Sequence, residues 1–82
     1  MDLRQVVGKN VKFWRHKRAM SQEQLAFDSE LHRTYVSAVE RGIRNPTIET
    51  LGKLAKALSV RPLHLLDDYD PDGNDPILGE DM

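Results

Sequence analysis

The stretch Ser21-Gln22-Glu23-Gln24-Leu25-Ala26-Phe27-Asp28-Ser29-Glu30-Leu31-His32-Arg33-Thr34-Tyr35-Val36-Ser37-Ala38-Val39-Glu40-Arg41-Gly42 decides the fold. Ser21 followed by Gln24 has capping-box spacing, and Gln22 to Ala26 are good helix formers, which predicts a short helix running to about Asp28 or Ser29. Glu30 and Leu31 interrupt the pattern. From Arg33 to Arg41, Val36 and Val39 fall on one helical face and Arg33, Ser37 and Arg41 on another, after which Gly42 supplies a stop. Two short helices thus meet across a tight turn, an arrangement with its own supersecondary signature.

Working outward, Asp2 is placed to cap a helix in which Leu3, Val7, Val11 and Trp14 recur at three- and four-residue spacing up to Arg18. Gly8 inside it is expected to weaken it by roughly 1 kcal/mol, with fraying before that residue. Ile43-Arg44-Asn45-Pro46 reads as a loop, because proline disfavours the α conformation at the residue before it. Thr47 then caps a helix carrying Ile48, Leu51, Leu54, Ala55 and Leu58, and Pro62 opens a short fifth helix with Leu63, Leu65 and Leu66. The expected fold is all-α, a compact five-helix domain. Its core is expected from Val7, Val11, Trp14, Leu25, Ala26, Leu31, Val36, Val39, Ile48, Leu51, Leu54, Leu58, Val60 and Leu63.

The net charge of −1 averages two segments of opposite character. Residues 1–66 hold all twelve Lys and Arg against six acids, a balance of +6, whereas residues 67–82 hold seven acids and no base, −7. The reading is a domain over 1–66 with a basic, polyanion-seeking surface and an acidic, disordered tail over 67–82. There is no cysteine, so disulfides and thiolate zinc sites are excluded. The short apolar runs supply neither a membrane span nor a signal-peptide core, and the protein is expected in the cytoplasm. An enzyme is not expected: there is no glycine-rich phosphate loop, and His16, His32 and His64 are too far apart to share a helical turn. No cofactor or metal is expected either, the tail carboxylates lacking the spacing of a calcium loop.

A paired-helix unit on a basic domain lets the second helix enter the DNA major groove while the first lies across the backbone. The strings Ser21 to Ala26, Tyr35-Val36-Ser37, Glu40-Arg41-Gly42, Asn45-Pro46 and Leu51 through Leu58 together resemble the lambda-repressor-like, Cro/cI-type (XRE) helix-turn-helix family, from about Val7 to Leu66. Within it, Arg33-Thr34-Tyr35 with Arg44 is similar to the restriction-modification controller proteins.

The resemblance implies a transcription regulator on double-stranded DNA and assigns roles that suit the side chains. Gln22 and the amino end of its helix would hold a phosphate, unless Gln22 is simply a solvated residue. Arg33 and Thr34 would face base edges, Arg33 with the bidentate reach that suits guanine. Ser37 and Ala38 would meet the groove one turn later, Ala38 through a thymine methyl or only by being small. Tyr35, Arg41, Arg44 and Asn45 would contact phosphates, with a half-buried Tyr35 the alternative. Arg15 and Glu40 would form a structural ion pair. Ala19 and Glu30 stand where the family places glycine at positive φ, so the turn before the recognition helix is expected to be reshaped, at about 1 kcal/mol or more if it is not.

So small a domain reads few base pairs, which calls for a homodimer on half-sites one helical turn apart. Val60, Leu65 and Leu66, with Tyr69 beside them, are the expected dimer surface; their other use is completing the monomer core. The rival readings are an antitoxin or phage-type repressor and, from another class, a protein-interaction module that binds no DNA.

Overall fold

The helices begin where side chains satisfy their first amide groups. Asp2 accepts from Arg4 N at 3.0 Å, Ser21 from Gln24 N at 3.0 Å and Thr47 from Thr50 N at 3.1 Å. The Asp2 carboxylate also accepts from the Arg4 guanidinium, which holds its carboxyl below the ordinary carboxylate range. Pro62 opens the last helix, where Arg61 N donates to His64 Nδ1 at 3.3 Å. The elements are α1 (Leu3–Lys17), α2 (Gln22–Ser29), α3 (Arg33–Glu40), α4 (Ile48–Leu58) and α5 (Pro62–Leu66). The computed structural model describes residues 2–68; among them there is no strand, and no helix is long and apolar enough to cross a membrane. Apart from Asp67 and Asp68, the expected acidic tail lies outside the described residues, as does Tyr69.

Helices α1 to α4 stop in the same way. At each end a residue adopts positive φ: Ala19 (57°), Glu30 (62°), Gly42 (75°) and Ser59 (60°). The next amide then reaches back five residues, Met20 N to Arg15 O at 3.0 Å, Leu31 N to Ala26 O at 2.8 Å, Ile43 N to Ala38 O at 3.0 Å and Val60 N to Ala55 O at 3.0 Å. These are Schellman motifs, and each places an apolar residue just past the left-handed position. Met20, Leu31 and Val60 pack against the core, which offsets the roughly 1–2 kcal/mol that a side chain costs in this conformation. The turn between α2 and α3 is therefore not reshaped; Glu30 takes the conformation that glycine would.

Gly8 does not fray α1, which runs unbroken from Leu3. A Cβ at Gly8 would lie 2.5 Å from Val39 O and 2.8 Å from Glu40 O, so the missing side chain is what lets α1 lie against the end of α3. Seven residues on, Arg15 closes the same interface. Its Nε donates to Glu40 Oε2 at 2.6 Å, one terminal nitrogen to Glu40 Oε1 at 3.1 Å and the other to Met20 O at 2.9 Å. Both charged side chains are almost wholly buried. The expected ion pair is thus formed, bidentate and desolvated.

The core of Val7, Val11, Trp14, Leu25, Ala26, Val36, Val39, Leu51, Leu54 and Leu58 agrees with expectation, Leu31 and Val60 packing at its edge. Three assignments need correction. Ile48, 90% exposed, sits on the right stripe of α4 but at its first residue, where it lines an open groove. Leu63 is 48% exposed and Leu65 fully buried, because two residues of helix turn the side chain through roughly 200° and α5 aims Leu65 inward. Leu65 therefore belongs to the monomer core and not to a dimer surface. Val6, Ala55 and Asn10 are also buried. Asn10 Nδ2 donates to Leu65 O at 3.0 Å and Asp67 O at 2.9 Å, satisfying carbonyls left open by the end of α5.

Gly8→Ala tests the close approach: helix propensity alone would stabilise by up to about 1 kcal/mol, whereas overpacking against the α3 carbonyls should destabilise by about 1–3 kcal/mol. Urea unfolding gives the sign. Glu40→Ala should cost about 3–5 kcal/mol by leaving Arg15 buried and unpaired, and the double variant Arg15→Met/Glu40→Leu should recover much of that loss. A double-mutant cycle measures both.

Candidate nucleic-acid interface

Helix α3 carries its exposed polar residues in its first turn and beyond its last. Arg33 and Thr34 are exposed at the amino end, Arg41 caps the carboxyl end, and Arg44 is exposed on the loop that follows. Two depressions flank the helix. One is lined by Arg15, Ser21, Gln22, Glu23 and Arg33, so Arg33 shares a surface with the amino end of α2. The other is lined by Thr34, Tyr35, Ala38 and Arg44 together with Glu30, Leu31 and His32. Arg33 and Thr34, adjacent in sequence, thus line two different depressions beside α3.

At the amino end of α2 the Ser21 hydroxyl occupies one open amide, leaving others free for an anion. Gln22 is half-buried, and its Nε2 donates to Glu40 Oε1 at 3.0 Å. Its amide is therefore neither a plain solvated group nor wholly free for a phosphate; one N–H is committed to the buried pair and one remains. Glu40 binds both Arg15 and Gln22, linking α1, α2 and α3 at one carboxylate.

Tyr35 is half-buried and packs against the core. Its ring carries the Arg44 guanidinium, 5.3 Å from the centroid, a cation–π contact that holds Arg44 beside α3. Ser37 and Ala38 are half-buried on the same helix, which suits residues that let a surface approach. Arg41 folds back, its Nε donating to Ser37 O at 3.4 Å. Asn45 does not join this cluster; it lines the groove formed by Leu3, Arg4, Val7, Pro46, Ile48, Leu51 and Leu66. Among the described residues no group of His, Cys, Asp or Glu could hold a metal ion.

Two features of this surface went unanticipated from the sequence. The Tyr35–Arg44 contact spans nine positions and a loop, so no periodicity announces it. The groove around Ile48 did leave a signal: an isoleucine directly after a capping threonine and Pro46 sits at the end of its helix, where neighbours run out.

Comparison with known proteins agrees with this geometry. A family model described as helix-turn-helix matches residues 11–65. The control protein C.BamHI of Bacillus amyloliquefaciens is 48% identical over 67 residues, covering 80% of this chain and 83% of that one. The restriction-modification controller protein C.AhdI from Aeromonas hydrophila superposes with a TM-score of 0.74 at 42% identity, over 76% of this chain and 94% of its own. The controller protein C.Esp1396I, solved as a tetramer with its natural 35 base-pair operator, gives a TM-score of 0.73 at 38% identity, over 79% and 86%. The chain belongs to the lambda-repressor-like (XRE-type) helix-turn-helix family, and its similarity within that family is to restriction-modification controller proteins.

Proposed function

We propose that this protein is a transcription regulator that binds double-stranded operator DNA as a homodimer, with one α3 in the major groove of each half-site. The observation that carries the reading is the placement of Arg33 and Thr34 on the exposed first turn of α3, beside the amino end of α2, with Arg41 and Arg44 beyond. Arg33 and Thr34 read base edges; Gln22, Arg41 and Arg44 hold phosphates, with Asn45 at the margin; Tyr35 positions Arg44; Ser37 and Ala38 permit the approach. The role is regulatory rather than catalytic, exercised in the cytoplasm. The control proteins it resembles favour a restriction-modification system as the regulated target over an antitoxin or phage operon.

Of the residues the sequence suggested for pairing, Leu66 is kept and joined by Leu3 and Ile48. Leu3, Ile48 and Leu66 are large, exposed and grouped about one groove, whereas Leu65 has no surface to offer and Val60 packs against the core. An apolar group of this kind on a small soluble domain suits a two-fold interface.

Arg33→Ala should lose about 1–3 kcal/mol on the selected operator and relax preference at one base position, with the fold unchanged. Selection from a random pool followed by titration reads both, and an unaltered preference overturns the base contact. Neutralising Arg41 or Arg44 should weaken specific and random duplexes alike and lower the salt slope by about one. Ile48→Glu should weaken self-association at least about tenfold and keep the helical circular dichroism spectrum. Sedimentation equilibrium of both chains decides it, a wild-type monomer even on operator DNA being the contrary result.

A further inference from the structure

Beyond Asp68 the chain carries fourteen residues, 69–82, whose charged side chains are Asp70, Asp72, Asp75, Glu80 and Asp81. The point where this segment leaves the domain is fixed, because Asn10 holds the carbonyls of Leu65 and Asp67. Fourteen residues at up to about 3.3–3.6 Å each reach roughly 45–50 Å. The domain's longest dimension is 34 Å, so every face lies within range.

Charge and side-chain chemistry select one face. Among the described residues, ion pairs occupy Arg4, with Asp2, and Arg15, with Glu40. Of the remaining arginines, Arg18 is held by the carbonyls of Leu58 and Ser59 and lies over the Trp14 ring, and Arg61 stands singly at the start of α5, whereas Arg33, Arg41 and Arg44 have no carboxylate partner among the described residues and stand exposed together around α3. Guanidinium forks take carboxylates in paired hydrogen bonds as they take phosphates, whereas the ammonium groups of Lys9, Lys12 and Lys17 on α1 and of Lys53 and Lys56 on α4 are compact and strongly hydrated. We propose that residues 69–82 dock on the arginine face of α3, where their carboxylates occupy the positions of DNA phosphates and compete with DNA intramolecularly. The tether raises the local carboxylate concentration to the millimolar range, enough to populate contacts that are individually weak. A duplex, with one charge per roughly 1.7 Å, displaces the segment, and salt screens it out once the Debye length falls below about 10 Å. The competition rests on the DNA-binding reading; the docking does not.

The test compares the full-length chain with the full-length variant D70N/D72N/D75N/E80Q/D81N. Without DNA, at low salt, backbone amide and arginine Nε–Hε resonances should differ between the two at Arg33, Arg41 and Arg44, and the differences should vanish at high salt. Differences confined to the neighbours of Asp68, or centred on Arg18, Arg61 or the lysines, overturn the docking. On one random duplex the variant should bind on the order of three- to tenfold tighter at low salt, the ratio falling towards one at physiological salt. Superimposable titrations overturn the competition. Absence of DNA binding by either chain overturns the functional reading, and the resonance comparison then still decides whether the segment docks.

Discussion

The approach of α1 to the end of α3 is the constraint on which the rest of this molecule depends. With no side chain at Gly8, the backbone of α1 comes against the carbonyls of Val39 and Glu40. That distance brings Arg15 within reach of Glu40, and the paired carboxylate in turn takes the amide of Gln22. A surface expected to meet phosphates is thereby wired to the core through a single buried acid. Desolvating such a pair is unfavourable unless its hydrogen bonds are complete, and here all three guanidinium nitrogens are used. The pair's contribution is geometric: it sets α2 and α3 relative to α1.

What local chemistry could announce, the sequence displayed. Asp2, Ser21 and Thr47 mark helix starts by side-chain hydrogen bonds that act over two or three residues, and the apolar spacing of α1, α3 and α4 orients most of the core. Errors arose where distant parts of the chain decide. Gly8 reads as a helix weakener until α3 is seen lying on it. Asn10 reads as one more polar residue, yet it faces the core because the carbonyls of Leu65 and Asp67 come to it. In α5 five residues are too few for a period to show which leucine turns inward. The arginine face was legible as residue types, but the split of Arg33 and Thr34 onto two depressions and the seating of Arg44 on Tyr35 needed the fold.

The left-handed stops explain why the paired-helix unit tolerates its two missing glycines. A Schellman turn is held by two backbone hydrogen bonds and by burial of the residue that follows it. Met20, Leu31 and Val60 supply that burial, so the backbone keeps its path although Ala19, Glu30 and Ser59 carry side chains there. Recognition geometry in this chain is thus guarded by hydrophobes one position beyond the turn, a location where a substitution would tilt α3 without touching any residue on its surface.

The groove that gathers Leu3 and Leu66 has a topological side. Those residues begin the first helix and end the last, so the two ends of the helical domain meet, and they meet on the surface assigned to pairing. Chain ends are where folded domains open first and where proteases gain entry. Under the pairing proposed here, a partner seated on that groove would cover both ends of the helical domain at once and oppose their opening.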